Sequence, residues 1–277
     1  MIGGHLDGLN YDCFVMIKGL IFLVIVLLSG SVFSKGVCSD LKGEQIFPSL
    51  NTKGGAVCFV REPILDDKTG APIGLDGISL YYIAHGNVPV EAEGRGLLYD
   101  DTPGEIVDAF SMKIGRDQRE KVFVIHSLEV RYSLVELNSS GKFYSVSVFE
   151  PIENILHQDE RSTEWFGVGY SWLSNGQKRV WKFPYQSKQD VREALNSPFA
   201  LLMSEVDSVP VKVKSKAYLF DASSIRGKTN KYLIEGDRAL VEEVTAGWCK
   251  IKYEEGVKAI RMWLMCSALD VEEKATG

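Results

Sequence analysis

A mainly β fold is predicted for this chain, and three observations predict it. Apolar residues recur at a period of two through most of the sequence, not at the helical period of about 3.6. The runs that carry this alternation are short and end in turn chemistry such as Asn-Gly, Glu-Gly-Asp or Ala-Gly. Only one stretch combines helical spacing with a capping residue in front. The expected architecture is an N-terminal antiparallel β domain with one short helix over residues 36–203. A linker over 204–213 then leads to a small C-terminal β-barrel over 214–270 and a tail over 271–277.

Taken in order, the chain opens on an export leader, expected as a signal peptide over 1–34. Lys18 supplies the positive flank, Leu20 to Leu28 the apolar core, and Ser29 to Ser34 the small-residue cleavage region. Met16 is the more natural start than Met1, because it places Lys18 beside the new terminus. The apolar run falls short of the ~20 residues a membrane span needs, so no stable membrane insertion is expected once the signal is removed. A lipid anchor at Cys38 is disfavoured, because Val37 stands where a small residue is needed.

A polar lead over 35–55 precedes the first strand-like run, Ala56 to Val60. Asp66 to Gly70 turns the chain into Ile78 to Ala84, and His85-Gly86-Asn87 turns it again. Phe110, Met112 and Ile114 alternate with polar residues. Val122 to Leu134 is a long β-type run, and Asn138 to Gly141 turns it back into Phe143 to Phe149. A second hairpin is expected from Trp165 to Leu173 and Lys178 to Tyr185, which flank Ser174-Asn175-Gly176-Gln177, Asn-Gly being the preferred tight-turn dipeptide. The helix begins at Ser187, with Asp190 in a capping-box position, and ends at Asn196-Ser197-Pro198. Ser204 to Val213 is the expected linker, stiffest at Pro210.

The stretch from Lys216 to Asp270 has the clearest plan. It reads KAYLFDAS, a loop, YLIEGDRALVEEV, then GWCKIKY, then the closing WLMCSALD. Five short runs with Gly-centred turns indicate a small closed barrel. The order of parts resembles a bacterial Src homology 3 (SH3-like) domain, with the landmark Gly-Trp pair at Gly247-Trp248 and the closing strand at Trp263 to Leu269. The family often has a second Gly-Trp at the closing strand, and Met262 replaces that Gly here. The resemblance covers roughly a fifth of the chain. It implies an SH3-like fold, and in exported proteins cell-wall peptide or a protein as the partner. Small barrels carry many unrelated functions, so the fold leaves the ligand open.

Composition narrows the function classes. The 277 residues carry a formal net charge of −6 with a pI near 5.4, which disfavours nucleic acid as a partner. Of five cysteines, Cys13 precedes the expected start, leaving Cys38, Cys58, Cys249 and Cys266. An even number in an exported chain implies disulfides, with three connectivities open. The local pairs Cys38–Cys58 and Cys249–Cys266 are expected, each lying inside one predicted domain. A periplasmic or secreted location follows from leader and cysteines together.

No catalytic constellation is present, so no enzyme is expected. There is no GxSxG stretch or Gly-rich phosphate loop, and Gly94-Arg95-Gly96 is too short to act as one. His85, His126 and His157 have no partners at metal-ligand spacing, so neither a metal nor a cofactor is expected. His126, inside an apolar strand, reads as a core or edge residue. Asp100-Asp101 and Asp159-Glu160 read as solvated turns.

The binding candidates are aromatic. Trp165 and Trp181, on the two strands of the second hairpin, can form a platform for a sugar or peptide, or one face of that hairpin is simply core. In the barrel the candidates are Tyr218, Phe220, Tyr232, Trp248 and Trp263. Some of these rings must fill the barrel core, and Tyr218 and Tyr232 are favoured as contacts because they flank the long loop. The expectation is an exported non-enzymatic binding protein that recognises cell-wall peptide or a protein partner. The alternative is a periplasmic immunity or inhibitor protein that neutralises a secreted toxin.

Overall fold

The computed structural model describes residues 37–114, 118–130, 139–203, 206–255 and 258–272. The expected leader, the choice between Met1 and Met16, and tail residues 273–277 lie outside them. The chain divides into two compact units, Met1–Ser39 and Asp40–Gly277. Of the first, only the turn at 37–39 is described. All the described strands and helices belong to the second.

The fold is mainly β, in several antiparallel sheets that include a half-barrel. Sheet 1 has the order β1 (Glu44–Thr52), β2 (Gly55–Leu65), β3 (Pro72–Ala84), β4 (Val90–Glu91). The polar lead expected over 35–55 thus contains a strand, β1. It is legible only weakly because its burial is partial along its whole length. Sheet 2 runs β5 (Glu105–Ile114), β6 (Arg119–Glu129), β7 (Lys142–Ile152), β8 (Ile155–Gln158).

Sheet 2 is buried on both faces, which is why its strands read as near-continuous apolar runs. Val122, Val124 and Phe149 pack with Val57, Phe59, Leu80 and Tyr82 of sheet 1. Phe123, Ile125, Val146 and Val148 face the other way, into a second and larger core. The hairpin expected from β6 and β7 is present, in register from Val122↔Phe149 to Glu129↔Lys142. The part of the long run beyond Val130 falls outside the described residues.

Between sheet 2 and the half-barrel lies an aromatic layer. It holds α1 (Glu160–Phe166), β9 (Val168–Tyr170), the hairpin β10 (Trp172–Asn175) and β11 (Lys178–Lys182), α2 (Lys188–Leu195) and a 3-10 helix, Pro198–Met203. Among the described residues two α-helices are therefore present where one is expected. The second is the expected one, with Ser187 as its N-cap accepting from Asp190 N–H. Asp190 in turn accepts from Gln186 N–H. The first ends where the pattern predicts the start of a strand, at Trp165. Asp159 caps it, accepting from Ser162 N–H, and Gly167 ends it at a φ of 63°. Seven residues are too few for the helical period to stand out against alternation.

The half-barrel sheet has the order β14 (Lys228–Leu233), β13 (Ala217–Phe220), β17 (Lys258–Met265), β16 (Trp248–Glu255), β15 (Arg238–Thr245), β12 (Val209–Val213), β18 (Leu269–Val271). The second half of the expected linker over 204–213 is in fact β12. It pairs with β15 and β18 and buries Val209, Val211 and Val213. The expected tail likewise begins inside β18. Thr245 pairs with Trp248, so Ala246-Gly247 is a two-residue turn. Both have positive φ, 50° and 79°, the geometry such hairpins need. In the β10–β11 hairpin Asn175 pairs with Lys178. The turn residues are therefore Gly176-Gln177, the second half of the expected turn Ser174-Asn175-Gly176-Gln177.

Cys249 and Cys266 form a disulfide with Cα atoms 5.0 Å apart. Cys38 and Cys58 are each disulfide-bonded as well, and the structure contains two disulfides.

Candidate functional site

The exposed aromatic site is built by β13 and β14. Alternation turns Ala217 and Leu233 inward as a cross-strand pair, so the next pair, Tyr218↔Tyr232, faces solvent. The two rings are 41% and 49% exposed and meet edge to face, centroids 6.2 Å apart. Lys216 Nζ stands 3.9 Å from the Tyr232 centroid and 5.3 Å from that of Tyr218. Lys228 Nζ stands 3.9 Å from the Tyr218 centroid. The result is a short column in which Lys228 stands on Tyr218 and Lys216 stands against both rings, nearer Tyr232. Each exposed cation–ring contact is worth about 0.5–1 kcal/mol, enough to bias the lysine rotamers.

The loop beside the column is internally held. Ser224 caps a 3-10 turn over Ile225–Gly227, and Thr229 Oγ1 donates to the Leu219 carbonyl. Lys216 and Lys228 were missed by sequence reasoning, although alternation carries the signal. Lys216 is two residues before Tyr218, and Lys228 is four before Tyr232, so each lysine shares its tyrosine's face.

The other barrel candidates are core. Trp248 is 1% exposed and packs edge-on to Phe220 at 4.9 Å. Phe220 pairs with Trp263, and both are buried. These three rings fill the half-barrel and cannot meet a ligand without unfolding it.

The predicted Trp165–Trp181 platform is also corrected. Trp165 is on α1, 5% exposed, stacked on Tyr185 at 5.7 Å, and its Nε1–H donates to the Phe199 carbonyl. Tyr185 is itself buried, which pushes its phenol well above the usual range. Trp181 is half-buried on β11. The two tryptophans do line one groove of about 480 Å³, together with Tyr185, Phe199, Met265 and Cys266. They enter it as walls of a packed layer, not as an open platform.

A larger groove of about 930 Å³ lies at the end of sheet 2. Its charges are already satisfied. Lys121 binds Asp159, Arg119 binds Glu150, and Arg161 donates to the carbonyls of Leu202 and Val206. Asp159 is thus a helix cap in an ion pair, with its side chain only 18% exposed, not a solvated turn residue. Burial alone would raise its pKa, but hydrogen bonds from Lys121 and Ser162 hold it below the usual carboxylate range.

His126 is fully buried, with Nε2 2.9 Å from the Pro103 carbonyl. Among the described residues, no group of three His, Cys, Asp or Glu side chains is placed to hold a metal, and no helix is long and apolar enough to cross a membrane. Comparison with family models, with curated proteins and with solved structures finds no match to this chain.

Proposed function

We propose that this chain is an exported, non-enzymatic binding protein whose half-barrel, SH3-like in plan, recognises cell-wall peptide or a protein partner. One observation carries the reading. Of the seven candidate rings, only Tyr218 and Tyr232 combine large exposure with a shared, laterally supported surface. Aromatic rings with polar tips suit a surface that must hold a ligand and stay wet. Export is supported by the apolar leader in the sequence and by two disulfides, which persist in oxidising compartments.

The test is co-sedimentation of the purified chain with cell-wall sacculi, beside Tyr218→Ala/Tyr232→Ala. Retention of the parent and loss in the variant is the expected result. If the parent stays in the supernatant, wall binding is ruled out, and a pulldown with the same pair of proteins then searches for a protein partner.

A further inference from the structure

We infer that the Tyr218–Tyr232 surface takes an extended, carboxylate-rich peptide segment. The inference rests on the reading of that surface as the binding site, and adds the chemistry of its ligand.

The first argument is charge. The protein carries a net charge of −6, yet Lys212, Lys214, Lys216, Arg226, Lys228 and Lys231 fall within one stretch whose only acid is Asp221. All six cations are exposed. Lys214 is paired with Asp270. Among the described residues, no carboxylate pairs with Lys216, Lys228 or Lys231. Elsewhere on the surface the exposed cations Arg95, Arg238 and Arg261 each meet a glutamate. The column is therefore a local positive surface on an acidic molecule, and it attracts a negative partner that the rest of the surface repels.

The second argument is the strand edge. β14 is the outer strand of its sheet, with no further strand paired beyond it among the described residues. An open edge is a template for an extended chain. Lysines along an edge discourage pairing with a neutral or basic strand and favour an acidic one. An extended chain places side chains of one face about 7 Å apart. Lys228 and Lys216 both stand against Tyr218, 3.9 and 5.3 Å from its centroid, so their ammonium groups are at most about 9 Å apart, little more than one such repeat, and acids at i and i+2 can reach both lysines.

The third argument separates this partner from the other common polyanion. Single-stranded nucleic acid binds such surfaces by stacking bases on open ring faces. Here Lys216 lies over Tyr232 and Lys228 over Tyr218. The rings offer their hydroxyls and edges, which suit carboxylates better than bases.

The test uses the full chain and three fluorescent probes: an oligoglutamate peptide, an oligolysine peptide and oligo(dT). Binding is read by anisotropy at about 50 mM and about 300 mM salt. Oligoglutamate alone is expected to bind. Lys216→Gln/Lys228→Gln should weaken it by roughly tenfold, as should the higher salt, because these contacts lie in screened solvent. Lys42→Gln/Lys53→Gln, on sheet 1 and its approach, should change nothing. All four lysines are exposed, so the variants fold.

The inference is overturned if the parent ignores oligoglutamate, if the Lys216/Lys228 variant binds it as well as the parent does, or if oligo(dT) binds more tightly. Sacculus retention that depends on the tyrosines, without oligoglutamate binding, removes the acidic ligand and leaves the binding surface standing. Oligoglutamate binding that survives Tyr218→Ala/Tyr232→Ala and Lys216→Gln/Lys228→Gln alike removes both.

Discussion

Two sites of ionisable residues shape how this protein responds to pH and to charge. His126 has no exposed surface, and its Nδ1 has no hydrogen-bond partner among the described residues. Burial is the main cause that lowers its pKa, opposed by the Pro103 carbonyl and by Glu105. The unfolded chain takes up a proton near pH 6.5 that the folded one resists. Stability is therefore complete above about pH 6.5 and falls as the pH drops below it toward the lower folded value. Urea midpoints measured from about pH 7.5 down to about pH 5 should decline, and the decline should flatten in His126→Gln. Identical slopes in the two proteins would rule the residue out as the cause. The Lys121–Asp159 pair makes a second case, with side chains 13% and 18% exposed. Asp159→Asn keeps a competent helix cap but leaves Lys121 half-buried and without its carboxylate. A loss of about 3–5 kcal/mol is expected, much of it restored by adding Lys121→Met. Equal stability of single and double variants in denaturant titration would contradict this.

At the scale of elements, one helix does the work of a strand. β7 is paired by β8 at Phe149 to Ile152 and by β9 at Phe143 to Ser145. In the gap between them α1 presents Thr163, whose Oγ1 accepts from Val148 N–H at 3.0 Å. Asp159 N–H donates to the Val148 carbonyl. Thr163→Val should leave that amide unpaired and cost about 1–3 kcal/mol, with faster hydrogen exchange at Val148 as the direct readout. Unchanged exchange would mean the helix is not the cap. The Cys249–Cys266 disulfide closes a short loop, the two residues lying 17 apart in sequence. Loop-closure entropy makes it worth about 3 kcal/mol, so Cys249→Ser/Cys266→Ser should lose roughly that in urea titration. A near-zero loss would show that the β16–β17 pairing already restrains the unfolded chain. These element-level features are partly legible in the sequence. The Ser187 cap, the Glu235-Gly236-Asp237 turn and the local cysteine pair depend on neighbours in sequence. The α1 helix is not legible, because its seven residues are too few to show a helical period and its end overlaps the alternating run from Trp165 to Leu173.

At the scale of the molecule, the residues after Asp40 share their cores. One cluster runs from Phe123 and Val148 in sheet 2, through Trp165, Phe166, Phe183 and Tyr185, to Val211, Val241, Trp248 and Leu264 in the half-barrel. The contact is close: Ala246 N–H donates to the Phe166 carbonyl, and a Cβ on Gly167 would lie 2.4 Å from Thr245 Oγ1. Cutting the chain near Pro210 would remove most of that cluster and split β12. A Phe166→Ala variant should therefore lower the stability of sheet 2 and of the half-barrel together, by about 3–5 kcal/mol, in a single calorimetric transition. Two separated transitions would show independent domains. The sequence by itself determined the β class, most strand positions and most turns, pointed to the local cysteine pair in the barrel, and favoured Tyr218 and Tyr232 because they flank the long loop. All of these follow from alternation, capping and short-range spacing. Only the tertiary structure decided that Trp165, Phe220, Trp248 and Trp263 are core, that the second half of the linker is a strand, and that Lys216 and Lys228 stand against the tyrosines. Alternation says which residues share a face, whereas burial depends on what another, distant part of the chain lays over that face.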